Sequence, residues 1–250
     1  MNLDLFEKIL SENSPTELTK EQISRFKTIA DLLSVEGEKY NLTALKTESD
    51  VALLHFVDSL TLFSNNLIKG GSNVIDVGCG AGFPALVVGA YDTSVNVTAL
   101  DSTKKKVDFV SLCADRAKLN NIFGLCARAE ECGKRECFDT VLSRGVARLN
   151  VLTELCLPLV KLGGTFVAMK GSMGKEEAEE AKRAIELCGG VLENIHTVKI
   201  PTVEHNHTLV VIRKVSETPA LYPRQYSKIS KKTALGIKAL GNSGKLGNRH

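Results

Sequence analysis

The spacing of apolar residues divides the chain into a helical N-terminal part and a longer part in which strands alternate with helices. Between Lys20 and about Val35, apolar side chains recur every three or four residues, and a second run of this kind begins at about Ser49. Thr19 stands where the N-cap of the first of these helices is expected. The pattern therefore predicts a helical extension over residues 1–68.

From residue 69 onward, short apolar runs alternate with segments of helical length. The runs are NVIDVG, VNVTALD, IFGLCA, FDTVLSR and GTFVAMKG, and the segments between them include KKKVDFVSLCADRAKLN and LNVLTELCLPLVKLGG. Such strands are typical of a parallel sheet covered by helices on both faces. The last two strands, VLENIHTVKI and HTLVVIRK, have a short connection that suits an antiparallel hairpin. We predict a doubly wound, Rossmann-like α/β domain over residues 69–215.

The composition is that of an ordinary globular protein, with 43% hydrophobic and 24% charged residues. No apolar run approaches the roughly 20 residues that cross a bilayer. The N-terminal stretch MNLDLFEKILSENS carries acids where a secretory signal carries a basic end. We expect a cytoplasmic, monomeric protein without a membrane segment.

The net charge of +3 hides an asymmetry between the two ends of the chain. Nine lysines and arginines but only one acid, Glu217, lie between Arg213 and His250. We therefore predict a basic tail over residues 216–250. Composition leaves open whether this tail is merely solvated or contacts an anionic partner such as a nucleic acid.

The cysteines do not form a metal-binding pattern. No C-x-x-C pair occurs among the seven, and the five histidines supply no nearby ligands; the cysteines are Cys79, Cys113, Cys126, Cys132, Cys137, Cys156 and Cys188. We expect no metal site, and free thiols as in a reducing compartment.

The stretch VIDVGCGAGFP, residues 74–84, indicates a cofactor site. A buried strand leads directly into Gly78, Gly80 and Gly82, which permit a tight turn and a close approach of the backbone to a ligand. Asp101 ends the next strand and is placed to accept hydrogen bonds from ribose hydroxyls. Its alternative role is that of N-cap for the following helix.

The residues around this loop distinguish between two classes of cofactor. Dinucleotide enzymes use G-x-G-x-x-G and direct a helix N-terminus at a pyrophosphate, but here Phe83 occupies the place of the third glycine. Asp76, two residues before the loop, suits the cationic sulfur and amine of S-adenosyl-L-methionine and would repel a pyrophosphate. We therefore predict this cofactor, and with it the class I methyltransferase variant of the Rossmann-like fold.

Several short motifs resemble, in order and spacing, the RsmG (GidB) family of 16S ribosomal RNA methyltransferases over about residues 38–232. They are YNLT (40–43), HFVDSL (55–60), DVGCGAGFP (76–84), ARAEE (127–131), SRGVA (143–147), Lys170-Gly171 and Tyr222-Pro223-Arg224. The resemblance implies a cofactor site lined by Gly78, Phe83, Ala129, Glu130 and Arg144. After Tyr222-Pro223-Arg224 the family often continues with a Pro-Gly turn, whereas this chain reads Gln225-Tyr226-Ser227.

The resemblance also implies a reaction, namely methylation of guanine N7 at position 527, in the 530 loop of 16S ribosomal RNA. The partner would be that RNA or a small-subunit assembly particle. Guanine N7 carries a lone pair and no proton, so alignment suffices and no general base is required. No Asp/Asn-Pro-Pro-aromatic turn follows FDTVLSR, and Cys156 is expected in the core and not as a nucleophile.

Two other functions remain as alternatives. One is a methyltransferase acting on another RNA, a protein or a small molecule, although a small-molecule enzyme would not need the basic tail. The other is a noncatalytic RNA-binding module, which the complete set of Asp76, three glycines and Asp101 disfavours.

Basic side chains at the strand ends and in the tail are candidates for RNA contacts: Arg144, Lys170, Arg224, Lys228, Lys231 and Lys232. Arg144 could hold a phosphate, guanine O6 or the cofactor carboxylate, or could pair with an acid such as Glu130. We expect residues 222–232 to hold RNA without contributing to the cofactor pocket. His55, Asp58 and Ser59 are expected to form a helix surface packed on the main domain, and Glu176 to Glu180 a solvated helix face.

Overall fold

The computed structural model describes residues 1–40, 42–43, 45, 47–204 and 206–229. Its α-helices are α1 (Leu3–Asn13), α2 (Lys20–Tyr40), α3 (Glu48–Val51), α4 (Asp58–Ser64), α5 (Ala85–Tyr91), α6 (Lys104–Arg116), α7 (Leu149–Cys156), α8 (Gly174–Leu187) and α9 (Tyr226–Ile229). Its strands are β1 (Asn73–Val77), β2 (Asn96–Asp101), β3 (Ile122–Cys126), β4 (Phe138–Arg144), β5 (Val160–Lys170), β6 (Gly190–Val198) and β7 (His207–Lys214). Within these ranges, no helix is long and apolar enough to cross a membrane.

The N-terminal helices form as the sequence predicts and pack on the glycine loop. The side chains and backbone amides of Thr19 and Gln22 bond reciprocally, a capping box that starts α2. A π-helical segment, Ala52–Val57, joins α3 to α4. Its Phe56 meets Phe83 edge to face at 5.2 Å between ring centroids. The extension therefore shares one core with the domain that follows it.

The seven strands form one sheet in the order β3-β2-β1-β4-β5-β7-β6. The first five strands in this order are parallel, whereas β7 runs antiparallel to both β5 and β6. This confirms the predicted mostly parallel sheet with a terminal antiparallel hairpin. The chain reverses direction across the sheet between β1 and β4, and ligands of such sheets bind at the carboxyl ends of the strands at this point.

One predicted helix is shorter than the sequence suggests. The segment LNVLTELCLPLVKLGG was expected to be helical throughout, but α7 ends at Cys156 and a 3-10 turn, Leu157–Leu159, follows. Pro158 has no backbone N–H with which to extend the helix. Strand β5 begins directly afterwards at Val160, which pairs with Phe138 of β4.

Residues 216–229, which we call the C-terminal strap, lie against the domain. The Arg135 guanidinium donates to the backbone carbonyl oxygens of Thr218 and Tyr222. Tyr222 and Ile229 are buried in the same core as β4 and β5. The first part of the segment predicted as a basic tail is therefore packed, because apolar side chains are interspersed among its charges. Lys231 and Lys232 lie outside the described residues.

Candidate functional site

A cavity of about 590 Å³ opens at the carboxyl ends of β1, β2 and β4, where the strand order reverses. Seven of the nine predicted cofactor residues line this glycine-loop cavity: Gly78, Gly80, Phe83, Asp101, Ala129, Glu130 and Arg144. The other two, Asp76 and Gly82, are not on its wall. The fold thus assembles in one place residues that are up to 66 positions apart in the chain.

The glycines of the loop have different roles. A Cβ atom on Gly80 would meet no atom closer than 4.0 Å, so this residue faces open space in the cavity wall. A Cβ atom on Gly82 would lie 2.4 Å from Cδ1 of Leu86, so this residue allows α5 to pack closely. Both have positive φ, +56° and +91°, which glycine adopts without steric cost.

Asp101 fixes the shape of the loop as well as lining the cavity. Its Oδ2 accepts a hydrogen bond from the Gly80 backbone N–H at 3.1 Å, and its Oδ1 accepts one from the Thr103 N–H at 2.9 Å. Thr103, and not Asp101, is the N-cap residue of α6, so the alternative role considered for Asp101 is wrong. Its contact with ribose hydroxyls stays a prediction.

Asp76 is a fully buried carboxyl group whose hydrogen bonding is incomplete. Its Oδ2 accepts from the Ala85 N–H at 3.2 Å, but its Oδ1 accepts no hydrogen bond from the described protein atoms. Burial raises the pKa of Asp76 to about 7. A cationic ligand in the adjoining cavity would stabilise the ionised form. The residues present therefore fit S-adenosylmethionine, which carries a sulfonium and an ammonium group.

Arg144, at the end of β4, is held by the N-terminal helices. Its Nη1 donates to Asp58 Oδ2 at 2.9 Å and to the Leu54 carbonyl oxygen at 2.7 Å, while its Nη2 donates to His55 Nδ1 at 3.0 Å. The ion pair with an acid that was considered for Arg144 is therefore present, but the acid is Asp58 and not Glu130. His55 and Asp58 are buried against the main domain as expected, and in addition both fix this guanidinium.

His207 completes this cluster from the start of β7. Its Nδ1 lies 2.8 Å from the second carboxylate oxygen of Asp58, and this hydrogen bond raises the pKa of His207. No motif in the sequence singles out His207, because only the insertion of β7 beside β5 brings it to the helices. The HFVDSL motif did contain a usable signal, since His55 and Asp58 are three positions apart on one helix face.

His55 is a neutral side chain that supports the cavity wall. Burial, reinforced by the charge of Arg144, lowers the pKa of His55 to about 3. Its Nδ1 accepts from Arg144, so Nε2 carries the proton and donates to Thr43 Oγ1 at 3.1 Å. The ring stacks on Phe83 with 4.3 Å between centroids. Because both ring nitrogens form hydrogen bonds, His55 is a structural part of the cavity wall and not a proton acceptor.

A second cavity of about 460 Å³ shares His55, Arg144 and Gly145 with the first. Lys170 lines it, but its ammonium group donates to the Ala147 carbonyl oxygen and pairs with Glu177 at 2.8 Å, with 12% of the side chain exposed. The charge proposed for RNA contact is therefore already neutralised. Glu177 also accepts from the Leu149 N–H, so the acidic run of α8 is not entirely solvated.

The strap contradicts one expectation about the C-terminal bases. Arg224 forms an ion pair with the buried Glu154 and is not a free RNA contact. Tyr226 lines the glycine-loop cavity, so the prediction that residues 222–232 contribute nothing to this pocket is wrong. Lys228 lies on α9, between these anchored positions and the end of the described chain.

Cys156 is buried in the core as predicted, and its burial raises the thiol pKa well above the ordinary value. Because a thiol that stays protonated is a poor nucleophile, we expect Cys156→Ser to retain methyl transfer. Steady-state rates and thermal unfolding of the variant, measured side by side, check this. Loss of all activity in a folded variant would instead indicate a covalent mechanism. Among the described residues, no three histidine, cysteine or acidic side chains are grouped to hold a metal ion.

Comparison with known proteins identifies close relatives. The family model for rRNA small subunit methyltransferase G (GidB) matches residues 22–208. Proteins named ribosomal RNA small subunit methyltransferase G from Clostridium botulinum (strain Alaska E43) and Desulforamulus reducens are 40% and 42% identical to this chain over 220 residues. Each alignment covers 86% of this chain and 92% of the relative.

Solved structures share the fold at low sequence identity. The TYW2 protein of M. jannaschii in complex with AdoMet is 18% identical, with a TM-score of 0.50 over 59% of this chain and 70% of that one. The [4+2]-cyclase SpnF is 15% identical, with a TM-score of 0.54 over 81% of this chain and 98% of that one. These likenesses confirm the Rossmann-like architecture.

Proposed function

Since this chain belongs to the rRNA small subunit methyltransferase G family, we propose that it methylates N7 of the guanine at position 527 in 16S ribosomal RNA. S-adenosylmethionine is the cofactor, and its sulfonium group supplies the methyl group. The observation that carries the proposal is the adjacency of the two cavities, which share His55, Arg144 and Gly145. One cavity suits the cofactor, and the other suits a planar base beside it.

In this proposal the chain's residues act by binding and orientation. The backbone around Gly80 and the Asp101 carboxylate hold the cofactor, and the Asp76 carboxylate complements its positive charge. A purine in the second cavity would direct its in-plane N7 lone pair past the shared lining residues toward the methyl group, in line with the C–S bond that breaks. Alignment of two reactants in this way accounts for a large part of the rate enhancement when no proton is transferred.

The residues shared by the two cavities suit this chemistry, because they are held rigidly and none of them is a proton acceptor. Arg144 is held by three acceptors, two of them from the π-helical segment, so its guanidinium cannot swing as a mobile phosphate clamp would. His55 is neutral, with a pKa of about 3, and its one N–H group donates a hydrogen bond to the Thr43 hydroxyl oxygen. Guanine N7 is an acceptor that requires neither a general base nor a nucleophile.

A mapping experiment tests the proposal. We expect purified protein and tritiated S-adenosylmethionine to label 16S ribosomal RNA from a strain lacking this gene, with chain cleavage specific for N7-methylguanosine at position 527 alone. RNA from the parent strain is the matched control and should accept no label, because its site is already methylated. Label at another nucleotide, or on ribosomal protein, would contradict the proposal.

The same assay resolves the form of the substrate. Naked RNA and a small-subunit assembly particle are offered in parallel, and the faster of the two is the preferred acceptor. The proposal takes the enzyme to act as a monomer in the cytoplasm. Size-exclusion chromatography with light scattering during turnover measures the first of these properties.

A further inference from the structure

The C-terminal strap supplies one side chain to the glycine-loop cavity. Tyr226, the first residue of α9, lines it together with the glycine loop, Asp101 and Glu130. It is the one strap residue among the described residues on this wall, and it is 36% exposed. An aromatic ring that is partly exposed at a cavity wall has a face available for a ligand.

An ion pair fixes the strap two residues before Tyr226. The Arg224 Nε and backbone N–H both donate to Glu154 Oε1 at 2.8 Å, and Nη2 donates to Oε2 at 2.6 Å. The Glu154 side chain is completely buried, whereas that of Arg224 is 23% exposed. A buried carboxylate without its partner is strongly destabilising, so this pair determines where the strap lies.

Other contacts hold the strap on both sides of Tyr226. Before it, the Tyr222 side chain is buried and its carbonyl oxygen accepts from Arg135 at 2.9 Å. After it, Ile229 has no exposed surface. Tyr226 is therefore positioned by anchors three or four residues away in each direction, unlike a side chain on a loose tail.

The strap is also linked directly to the cavity wall. Glu154 lies in α7, and the next residue of that helix, Leu155, lines the cavity. Glu154, which pairs with Arg224 and which we call the clamp, and Leu155, which lines the cavity, are thus consecutive residues of one buried helix. A displacement of the strap would move Tyr226 away from this wall.

We infer that Tyr226 is a cofactor-binding residue, and that the Arg224–Glu154 pair positions it. The aromatic ring packs against bound S-adenosylmethionine and closes one side of its cavity. The strap is thus a structural part of the cofactor site. The inference rests on the proposed function only for the identity of the cofactor, and it concerns binding and not the choice of acceptor.

Calorimetric titration with S-adenosylhomocysteine, in the absence of RNA, tests the role of the ring. We expect Tyr226→Ala to weaken binding about tenfold, as loss of an aromatic contact predicts, and Tyr226→Phe to bind as the unaltered protein does. The matched control is Leu221→Ala, on the same strap but 62% exposed and outside the cavity, which should leave binding unchanged. Undiminished binding by Tyr226→Ala would overturn the inference.

A second variant tests the clamp. Glu154→Gln keeps the buried shape but removes the charge that holds Arg224, and we expect it to weaken binding to a similar degree. In the double variant with Tyr226→Ala the two losses should not add, because both act through the position of one ring. Fully additive losses in folded proteins would show that the clamp does not act through Tyr226. If Glu154→Gln fails to fold, the Tyr226 series decides alone.

The readout separates this inference from the proposed function. Cofactor binding is measured without an acceptor, so a failure to methylate 16S RNA leaves the result unaffected. If Tyr226→Ala binds the cofactor normally but loses RNA methylation, the ring contacts the acceptor instead. That outcome overturns the inference and leaves the proposed function intact.

Discussion

Replacement of Gly80 by valine should abolish binding of S-adenosylmethionine. The Cβ position of Gly80 faces space in the cavity wall, with no atom closer than 4.0 Å, so the new side chain would project into the volume that the ligand needs. We expect affinity to fall by more than about 100-fold, or roughly 2.7 kcal/mol. Isothermal titration calorimetry with S-adenosylhomocysteine measures this.

The control for Gly80→Val must separate occlusion of the cavity from backbone strain. Gly80 has a φ of +56°, where a β-branched residue is disfavoured by about 1–2 kcal/mol. Gly133 has a φ of +66°, has open surroundings and lies outside the cavity. Gly133→Val should therefore lose comparable stability but retain cofactor affinity. If Gly80→Val also binds the cofactor normally, the cavity is not the cofactor site.

Asp76→Asn should make the protein more stable at pH 8 and yet weaken its cofactor binding. The folded-state pKa of Asp76 is raised to about 7, against an ordinary value of 3.8, so ionisation destabilises the fold as pH rises through this interval. A difference of that size corresponds to roughly 4 kcal/mol. Asparagine has no charge to desolvate, so the gain should be present above pH 7 and vanish below about pH 4.

Cofactor affinity should change in the opposite direction to stability. The ionised carboxylate attracts the cationic groups of the cofactor, and we expect Asp76→Asn to lose about 10- to 100-fold in affinity, or 1.4–2.7 kcal/mol. In the unaltered protein this advantage should shrink from pH 8 to pH 6 as Asp76 becomes protonated. Titration of both proteins at each pH isolates the effect, because changes in the ligand's own charge are common to the two.

Asp108→Asn is the matched control for Asp76→Asn. Asp108 is on α6, its side chain is 56% exposed, and it lies outside the cavity. Its replacement should change neither stability nor binding appreciably. Equal affinity of the Asp76→Asn and unaltered proteins at pH 8 would mean that Asp76 serves only to hold the Ala85 amide.

The two effects of Asp76 have one physical cause. A carboxylate kept away from water, with one oxygen that no described protein atom satisfies, costs folding free energy. A cation in the adjoining cavity recovers part of that cost on binding. The charged carboxylate therefore lowers the stability of the free protein relative to a neutral residue, and it raises the affinity for the cofactor.

The helices, the strands and the cofactor loop follow from local sequence. The spacing of apolar residues within each segment shows directly how that strand or helix is buried. A strand is therefore recognised from a short apolar run, and a helix from apolar residues three or four positions apart. The loop from Gly78 to Gly82 is likewise local, since its turn, its glycines and the preceding Asp76 are contiguous. For these features the predictions and the structure agree, apart from the early end of α7 before Pro158 and the π-helical segment Ala52–Val57 within the second predicted helix.

The pairing of charged side chains, in contrast, depends on how the elements pack together. Arg144 pairs with Asp58, 86 positions earlier, and not with Glu130, because the docking of the N-terminal helices onto β4 brings Asp58 within hydrogen-bond distance. His207 reaches the same carboxylate through the placement of β7 beside β5, and Arg224 finds Glu154 because the strap crosses α7. The spacing of apolar residues indicates whether a side chain is buried, but it does not indicate which residue that side chain contacts. That partner is set by the order of strands and the docking of helices, which join residues far apart in the chain.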